Sequence, residues 1–161
     1  MAIKVGDKIP DAKLSRMTEE GPRPITTEQV FAGKKVVIFA VPGAFTPTCS
    51  NQHLPGFVKH ADAILKKGVD TIACISVNDA FVMGAWGKAQ GVGDKVLMLA
   101  DGNGEFTKKL GMTFDGSGFG MGERSQRYAL IVDNGIVKYL GIETSPGQAI
   151  ESGAEKVLGL L

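Results

Sequence analysis

Val36-Val37-Ile38-Phe39-Ala40-Val41-Pro42-Gly43-Ala44-Phe45-Thr46-Pro47-Thr48-Cys49 is the stretch that decides how this chain folds. Its first five residues form an unbroken apolar run, the pattern of a strand buried on both faces. Past Cys49, the residues Leu54, Phe57, Val58, Ala61, Ile64 and Leu65 recur at three- and four-residue steps. That spacing predicts one face of a helix from about 48 to 67, stopped by Gly68. Pro55 falls inside it and predicts a kink or a break. A cysteine therefore sits where a strand-following loop enters the first turn of a helix. Free backbone N–H groups and the positive end of the helix dipole favour a thiolate there, and the thiolate is the nucleophilic form.

Working outward, residues 71–77 (Thr-Ile-Ala-Cys-Ile-Ser-Val) read as a second buried strand. Asn78 or Asp79 is expected to cap a helix running to about Gln90. Residues 96–100 predict a third strand, followed by the turn 101–104 and a short helix over 105–110 ended by Gly111. Two further apolar runs, 128–132 and 136–140, flank Asp133-Asn134-Gly135, a strong hairpin signal. Ser145 and Pro146 are expected to start the last helix as N-cap and first helical residue, with Ile150, Ala154, Val157, Leu158 and Leu161 on its apolar face. Early crossovers imply parallel strands, and the hairpin adds an antiparallel pair. The expected fold is α/β: a thioredoxin-like mixed sheet with helices on both faces and a small N-terminal hairpin before Lys34. The glycine-rich stretch 116–122 reads as a mobile loop near Cys49.

Length and composition set limits. The 161 residues, 43% of them apolar, suit a single domain, 1–161, with a full core. Lysine plus arginine, 18, nearly balance aspartate plus glutamate, 17, which leaves no electrostatic footprint for nucleic acid or a membrane surface. No apolar run approaches the ~20 residues of a membrane span. The first residues lack the features of a signal or transit peptide, so a cytoplasmic location is expected. Two cysteines, Cys49 and Cys74, are too few for a secreted disulfide scaffold.

Around Cys49, chemistry needs a stabilised thiolate, a donor for an oxygen under attack, and shielding from water. Thr46, three residues before the cysteine, can donate its hydroxyl to the thiolate or to a substrate oxygen. Pro42 and Pro47 are rigid and lack an N–H, so they can wall a pocket. The cation must come from elsewhere. Arg124 and Arg127 stand before the strand beginning at Tyr128, which this fold places beside the first strand, and an arginine fork there can face the cysteine loop.

These residues carry a resemblance. Pro42, Thr46 and Cys49 reproduce the PxxxTxxC signature of the peroxiredoxins, and the stretch VPGAFTPTCSNQHLPGF from Val41 to Phe57 resembles the type II, or class five, subfamily. The likeness continues collinearly through Cys74 to Val82, Ala85-Trp86, Leu99 to Gly102 and Arg124 to Tyr128, so it spans essentially the whole chain. It implies a thiol peroxidase that needs no cofactor and no metal. Cys49 is then the attacking cysteine that becomes a sulfenic acid; Thr46, Pro42 and Arg127 are its catalytic companions, and Arg124 has a supporting role. The implied substrates are hydrogen peroxide and small alkyl hydroperoxides, and the implied assembly is a homodimer using a face near the active site. Relatives of this type often carry a resolving cysteine near the C-terminus, yet residues 141–152 contain none. The expected cycle therefore uses one cysteine and is regenerated by glutathione and glutaredoxin; the alternative uses Cys74 as a resolving cysteine with thioredoxin as reductant.

Blander readings compete. Cys49 can be a small buried hydrophobe. Cys49 and His53, four apart on a helix, make a metal pair only with further ligands, which are missing nearby; His53 is expected on a helix face near the pocket mouth. Phe119 is expected to line the pocket entrance, Phe45 to be pocket wall or core, and Trp86 to pack or to meet another subunit. The stretch 118–122 lacks the strand-and-helix context of a dinucleotide loop. Cys74, mid-strand in an apolar run, reads first as an inert thiol. A thiol–disulfide oxidoreductase on this fold would want a cysteine at position 52, which is Gln52. A redox sensor that reacts once and stops is the remaining alternative.

Overall fold

The chain first builds a hairpin from β1 (Lys13–Thr18) and β2 (Gly21–Thr26), as expected before Lys34. The computed structural model describes residues 2–145 and 147–161. A short helix that the periodicity did not reveal, α1 (Thr27–Phe31), follows. Its signal was present as Thr26-x-x-Gln29. The Thr26 hydroxyl accepts from the Gln29 N–H, and the Gln29 side chain accepts from the Thr26 N–H at 2.8 Å, a reciprocal cap. Next come β3 (Lys35–Ala40), a π-helical turn at Cys49–His53 that runs into α2 (Leu54–Lys66), β4 (Thr71–Ser76), α3 (Ala80–Ala89) and β5 (Leu97–Ala100). They are followed by α4 (Glu105–Leu110), β6 (Thr113–Asp115), β7 (Glu123–Ser125), β8 (Tyr128–Asp133), β9 (Ile136–Ile142) and α5 (Ala154–Gly159).

Seven strands make one sheet in the order β2-β1-β5-β4-β3-β8-β9. The pairs β3–β4 and β4–β5 are parallel; β3–β8, β8–β9 and the N-terminal hairpin are antiparallel. This is the thioredoxin-like mixed sheet the pattern predicts. Strand alternation divides the core in two. Val37, Phe39 and Val41 join Leu54, Phe57, Ala61, Met83, Trp86 and Val157 on the face covered by α2, α3 and α5. Val36, Ile38 and Ala40 join Phe31, Phe106 and Leu110 on the face covered by α1 and α4. Both cysteines belong to the first layer. At the hairpin, Asn134 and Gly135 have φ of 47° and 81°, the left-handed pair that a two-residue turn requires.

One expectation is corrected here. The last helix starts at Ala154, with Gly153 as its cap, instead of at residue 145. Ser145 is an exposed bend, and Pro146 lies outside the described residues. The segment between β9 and α5 is drawn against the sheet instead: the Tyr139 hydroxyl donates to the Glu151 carbonyl at 2.7 Å, and a side chain at Gly141 would collide with that carbonyl. Ile150 consequently points to solvent, 62% exposed, while Ala154 and Val157 are buried. The glycine-rich stretch is a loop, as expected. It is the tip of a β6–β7 hairpin, where Ser117–Phe119 make a 3₁₀ turn.

Candidate active site

The helix carrying Cys49 opens at Pro47, where a missing N–H costs nothing. Cys49 lies in its first turn, so helix geometry leaves its N–H without an intrahelical partner. The chain then widens: the Leu54 N–H donates to the Cys49 carbonyl, five residues back. The cause is Pro55, second residue of α2, whose ring would clash with a carbonyl of an α-helical turn before it and which has no N–H to give. The predicted break at Pro55 is thus a wide turn that wraps the cysteine.

The preceding loop is fixed from several sides. Phe45 takes a left-handed backbone, φ 63°, rare for a bulky residue. The Ala44 N–H and the Ser76 hydroxyl both donate to Asn78 Oδ1, at 3.0 and 2.7 Å. The Trp86 indole donates to the Ser50 hydroxyl at 3.0 Å, tying α3 to the turn that holds the cysteine. Thr46 donates to the Gly43 carbonyl at 2.7 Å; in this arrangement its hydroxyl braces the loop and not the sulfur. Pro42 is buried. Arg124 spans the hairpin and the loop after β4, donating to the carbonyls of Met121 at 2.8 Å and Val77 at 3.0 Å.

Cys49 exposes no surface. Arg127, 4% exposed, enters just before β8, and β8 runs beside β3, so its side chain reaches the cysteine. Its Nη2 donates to Cys49 Sγ at 3.1 Å. Its Nη1 lies 2.9 Å from His53 Nδ1, and His53 Nε2 lies 2.8 Å from the Ser152 carbonyl. His53 is 1% exposed against Phe39 and Phe57, whose rings stack at 4.0 Å. This corrects its expected place at the pocket mouth, and with both ring nitrogens engaged it is no half of a metal pair. Burial first, then the Arg127 charge, push its pKa down to about 3, against a raising contribution from the Ser152 carbonyl.

The structure thus brings together Cys49, Arg127 and His53, with Thr46 and Arg124 bracing the loop in which Pro42 is buried. Phe45, 57% exposed, keeps contact with Trp86 at a ring separation of 6.4 Å; Phe119, 75% exposed, projects from the hairpin tip. Trp86 is fully buried and packs within the layer. Cys74 is also fully buried, paired across the sheet with Phe39. Burial pushes its thiol well above the ordinary value, the charge of Cys49 adds to this, and Arg127 opposes it. Ser152 and Glu143 were not found from the sequence: the Ser152 N–H and hydroxyl both donate to Glu143 Oε2 at 2.6 Å, a contact across a loop that no local pattern announces.

A thioredoxin-like fold that holds a buried cysteine sulfur against a buried arginine is a thiol-based redox enzyme. Residues 4–158 match the Redoxin family model. Over 99% of its length the chain is 51% identical to peroxiredoxin-2E, chloroplastic, of Arabidopsis thaliana, covering 70% of that protein, and 49% identical to peroxiredoxin-2C of Oryza sativa subsp. japonica, covering 98% of it. The crystal structure of reduced Prx3 in complex with H2O2 from Vibrio vulnificus superposes with a TM-score of 0.93 at 54% identity, covering 98% of each chain. The chain belongs to the Redoxin family and is a peroxiredoxin, a thiol peroxidase.

Proposed function

We propose that this peroxidase is of the type II subfamily and reduces hydrogen peroxide and small alkyl hydroperoxides through Cys49 in a one-cysteine cycle. The observation that carries the reading is the Arg127 Nη2 to Cys49 Sγ contact at 3.1 Å in a site closed to bulk water. The thiolate attacks the terminal oxygen of HO–OR. An S–O bond forms, the O–O bond breaks, and its electron pair leaves on the departing oxygen, which takes up a proton to give ROH; sulfur is oxidised to sulfenic acid. A fixed guanidinium beside the sulfur favours the thiolate and faces the charge that develops, and it does so in a low-dielectric site where such charges interact strongly. Most of the rate has to come from aligning and polarising the peroxide. The H2O2 named in the Vibrio vulnificus complex supports the smallest peroxide as a substrate.

The surroundings of the sulfur support regeneration by an external thiol. Cys74 is held mid-strand with its thiol pushed up, and the segment after β9 carries no cysteine. Glutathione would condense with the sulfenic acid, releasing water and leaving a mixed disulfide; glutaredoxin or a second glutathione then frees Cys49. Two free cysteines suit a reducing compartment such as the cytoplasm. Mass spectrometry after one equivalent of peroxide plus glutathione tests the cycle: a glutathione adduct on Cys49 is expected, and a Cys49–Cys74 disulfide sinks it.

A further inference from the structure

His53 is a buried polar group that the peroxide chemistry above does not call on. Its two ring nitrogens face opposite demands. The Ser152 carbonyl has only lone pairs, so Nε2 must carry a hydrogen and donate at 2.8 Å. The Arg127 guanidinium has only N–H groups, so Nδ1 must be bare and accept from Nη1 at 2.9 Å. One neutral tautomer satisfies both; an imidazolium would set N–H against N–H and a second cation beside Arg127.

The partners of His53 close a circuit. The Glu143 N–H donates to the Arg127 carbonyl at 3.0 Å. The Glu143 carboxylate accepts from the Ser152 N–H and hydroxyl. The Ser152 carbonyl accepts from His53, and His53 accepts from the Arg127 side chain. The chain of bonds begins and ends on Arg127. Because a guanidinium is planar and rigid, fixing Nη1 also aims Nη2, the atom that meets Cys49 Sγ. Among the described residues, the rings packed on it are the apolar Phe39 from β3 and Phe57 from α2. The charged or titratable neighbours are therefore Arg127, Cys49 and, through Ser152, Glu143.

We infer that His53 is a positioning residue: as a neutral acceptor it sets the Arg127 guanidinium against the Cys49 sulfur, and the Glu143–Ser152 pair fixes the tautomer that lets it do so. The inference rests on Cys49 being the attacking sulfur. Three substitutions separate its two bonds. In His53→Asn the amide oxygen reaches roughly where Nδ1 lies and can still accept from Arg127. In His53→Gln the amide reaches roughly where Nε2 lies and can still serve Ser152. His53→Leu keeps bulk and loses both.

Two readouts are taken on the full chain: the rate of Cys49 oxidation by hydrogen peroxide, and the pH midpoint of Cys49 alkylation by iodoacetamide. Loss of an aimed charge is expected to slow oxidation about 10- to 100-fold in the Gln and Leu variants and to raise their alkylation midpoint, with Asn staying within about three-fold of wild type. Equal losses in Asn and Gln that follow their melting temperatures, or wild-type behaviour in Leu, overturn the inference. If Leu does not fold, the Asn–Gln difference still decides it. The alkylation midpoint needs no peroxide, so it judges the positioning role even where turnover with glutathione fails.

Discussion

Cys49 and Cys74 lie in the same apolar layer, and neither exposes any surface. Burial alone would make both inert, since removing a thiolate from water disfavours it. What separates them is the neighbourhood each backbone element provides. Cys49 stands at a helix start, with first-turn N–H groups around it and a guanidinium 3.1 Å from its sulfur. Cys74 stands mid-strand, where the backbone groups serve the sheet, and Phe39 is its cross-strand partner. Arg127 acts on Cys74 too, but in third place behind burial and the repelling charge of Cys49. The two buried thiols thus differ in what faces them: a guanidinium meets the sulfur of Cys49, while burial keeps Cys74 protonated.

The sharpest way to break this comparison is to remove the favoured sulfur. Cys49→Ser is expected to abolish peroxidase turnover while circular dichroism and melting remain close to wild type, because a hydroxyl of nearly the same size has no thiolate to offer. Residual turnover carried by Cys74 would mean that the environment does not discriminate between the two thiols. Next in size is the cation. Arg127→Gln keeps hydrogen-bonding ability but removes the charge, and it is expected to slow Cys49 oxidation about 100- to 1,000-fold, the scale of losing one aimed group in a closed site. Arg124→Gln should have a smaller effect, since Arg124 reaches the carbonyls of Met121 and Val77 and braces the loop from a distance. Stopped-flow oxidation of both variants ranks them; the reverse order would move the catalytic role to Arg124.

A third test sharpens the comparison through stability. The His53 pKa is about 3 in the folded chain against 6.5 as its ordinary value. Below pH 6.5 the unfolded chain takes up a proton that the folded chain excludes, so stability is lost as pH falls from 6.5 toward 3. Between pH 6.5 and 5 the loss is about 1.5 kcal/mol. Chemical denaturation across that interval should show the slope in wild type and lack it in His53→Gln. The difference between the two curves also isolates His53 from His60, the other histidine. Parallel curves would mean that His53 accepts a proton in place.

How legible this was from the residues depends on the range of the interaction. Unbroken apolar runs placed β3, β4, β5 and the β8–β9 hairpin, helical spacing placed α2, and a cap residue placed α3, because each signal lies within the element it marks. Cys49, Pro42 and Thr46 sit in one local motif, and the expected pairing of β8 with β3 brought Arg127 to them. The misses are of two kinds. Short elements such as β6, β7 and α1 hold too few residues to show a period. Contacts made across loops have no local signature at all: the burial of His53 depends on Ser152 and Glu143, some ninety residues on, and the late start of α5 depends on Gly141 letting the Glu151 carbonyl approach the sheet.

The smallest expected effect belongs to Cys74→Ser. The residue sits at 0% exposure with its backbone in the ladder between β3 and β5, so its sulfur meets an attacker from solvent only if the surrounding layer opens. Turnover with glutathione and glutaredoxin is expected within about two-fold of wild type, since no step of the one-cysteine cycle passes through this thiol. Stability is expected to fall by about 1–3 kcal/mol, because a hydroxyl in an apolar layer needs a partner that a thiol does not. Cys74→Ala serves as the companion variant, with no polar atom to satisfy. Loss of turnover in Ser alone would trace to folding. Loss in both, together with a Cys49–Cys74 disulfide in peroxide-treated wild type, would show that opening of this layer is part of the cycle. Thioredoxin would then be the reductant to test, and the protonated thiol at Cys74 would be a resting state that the oxidation of Cys49 releases.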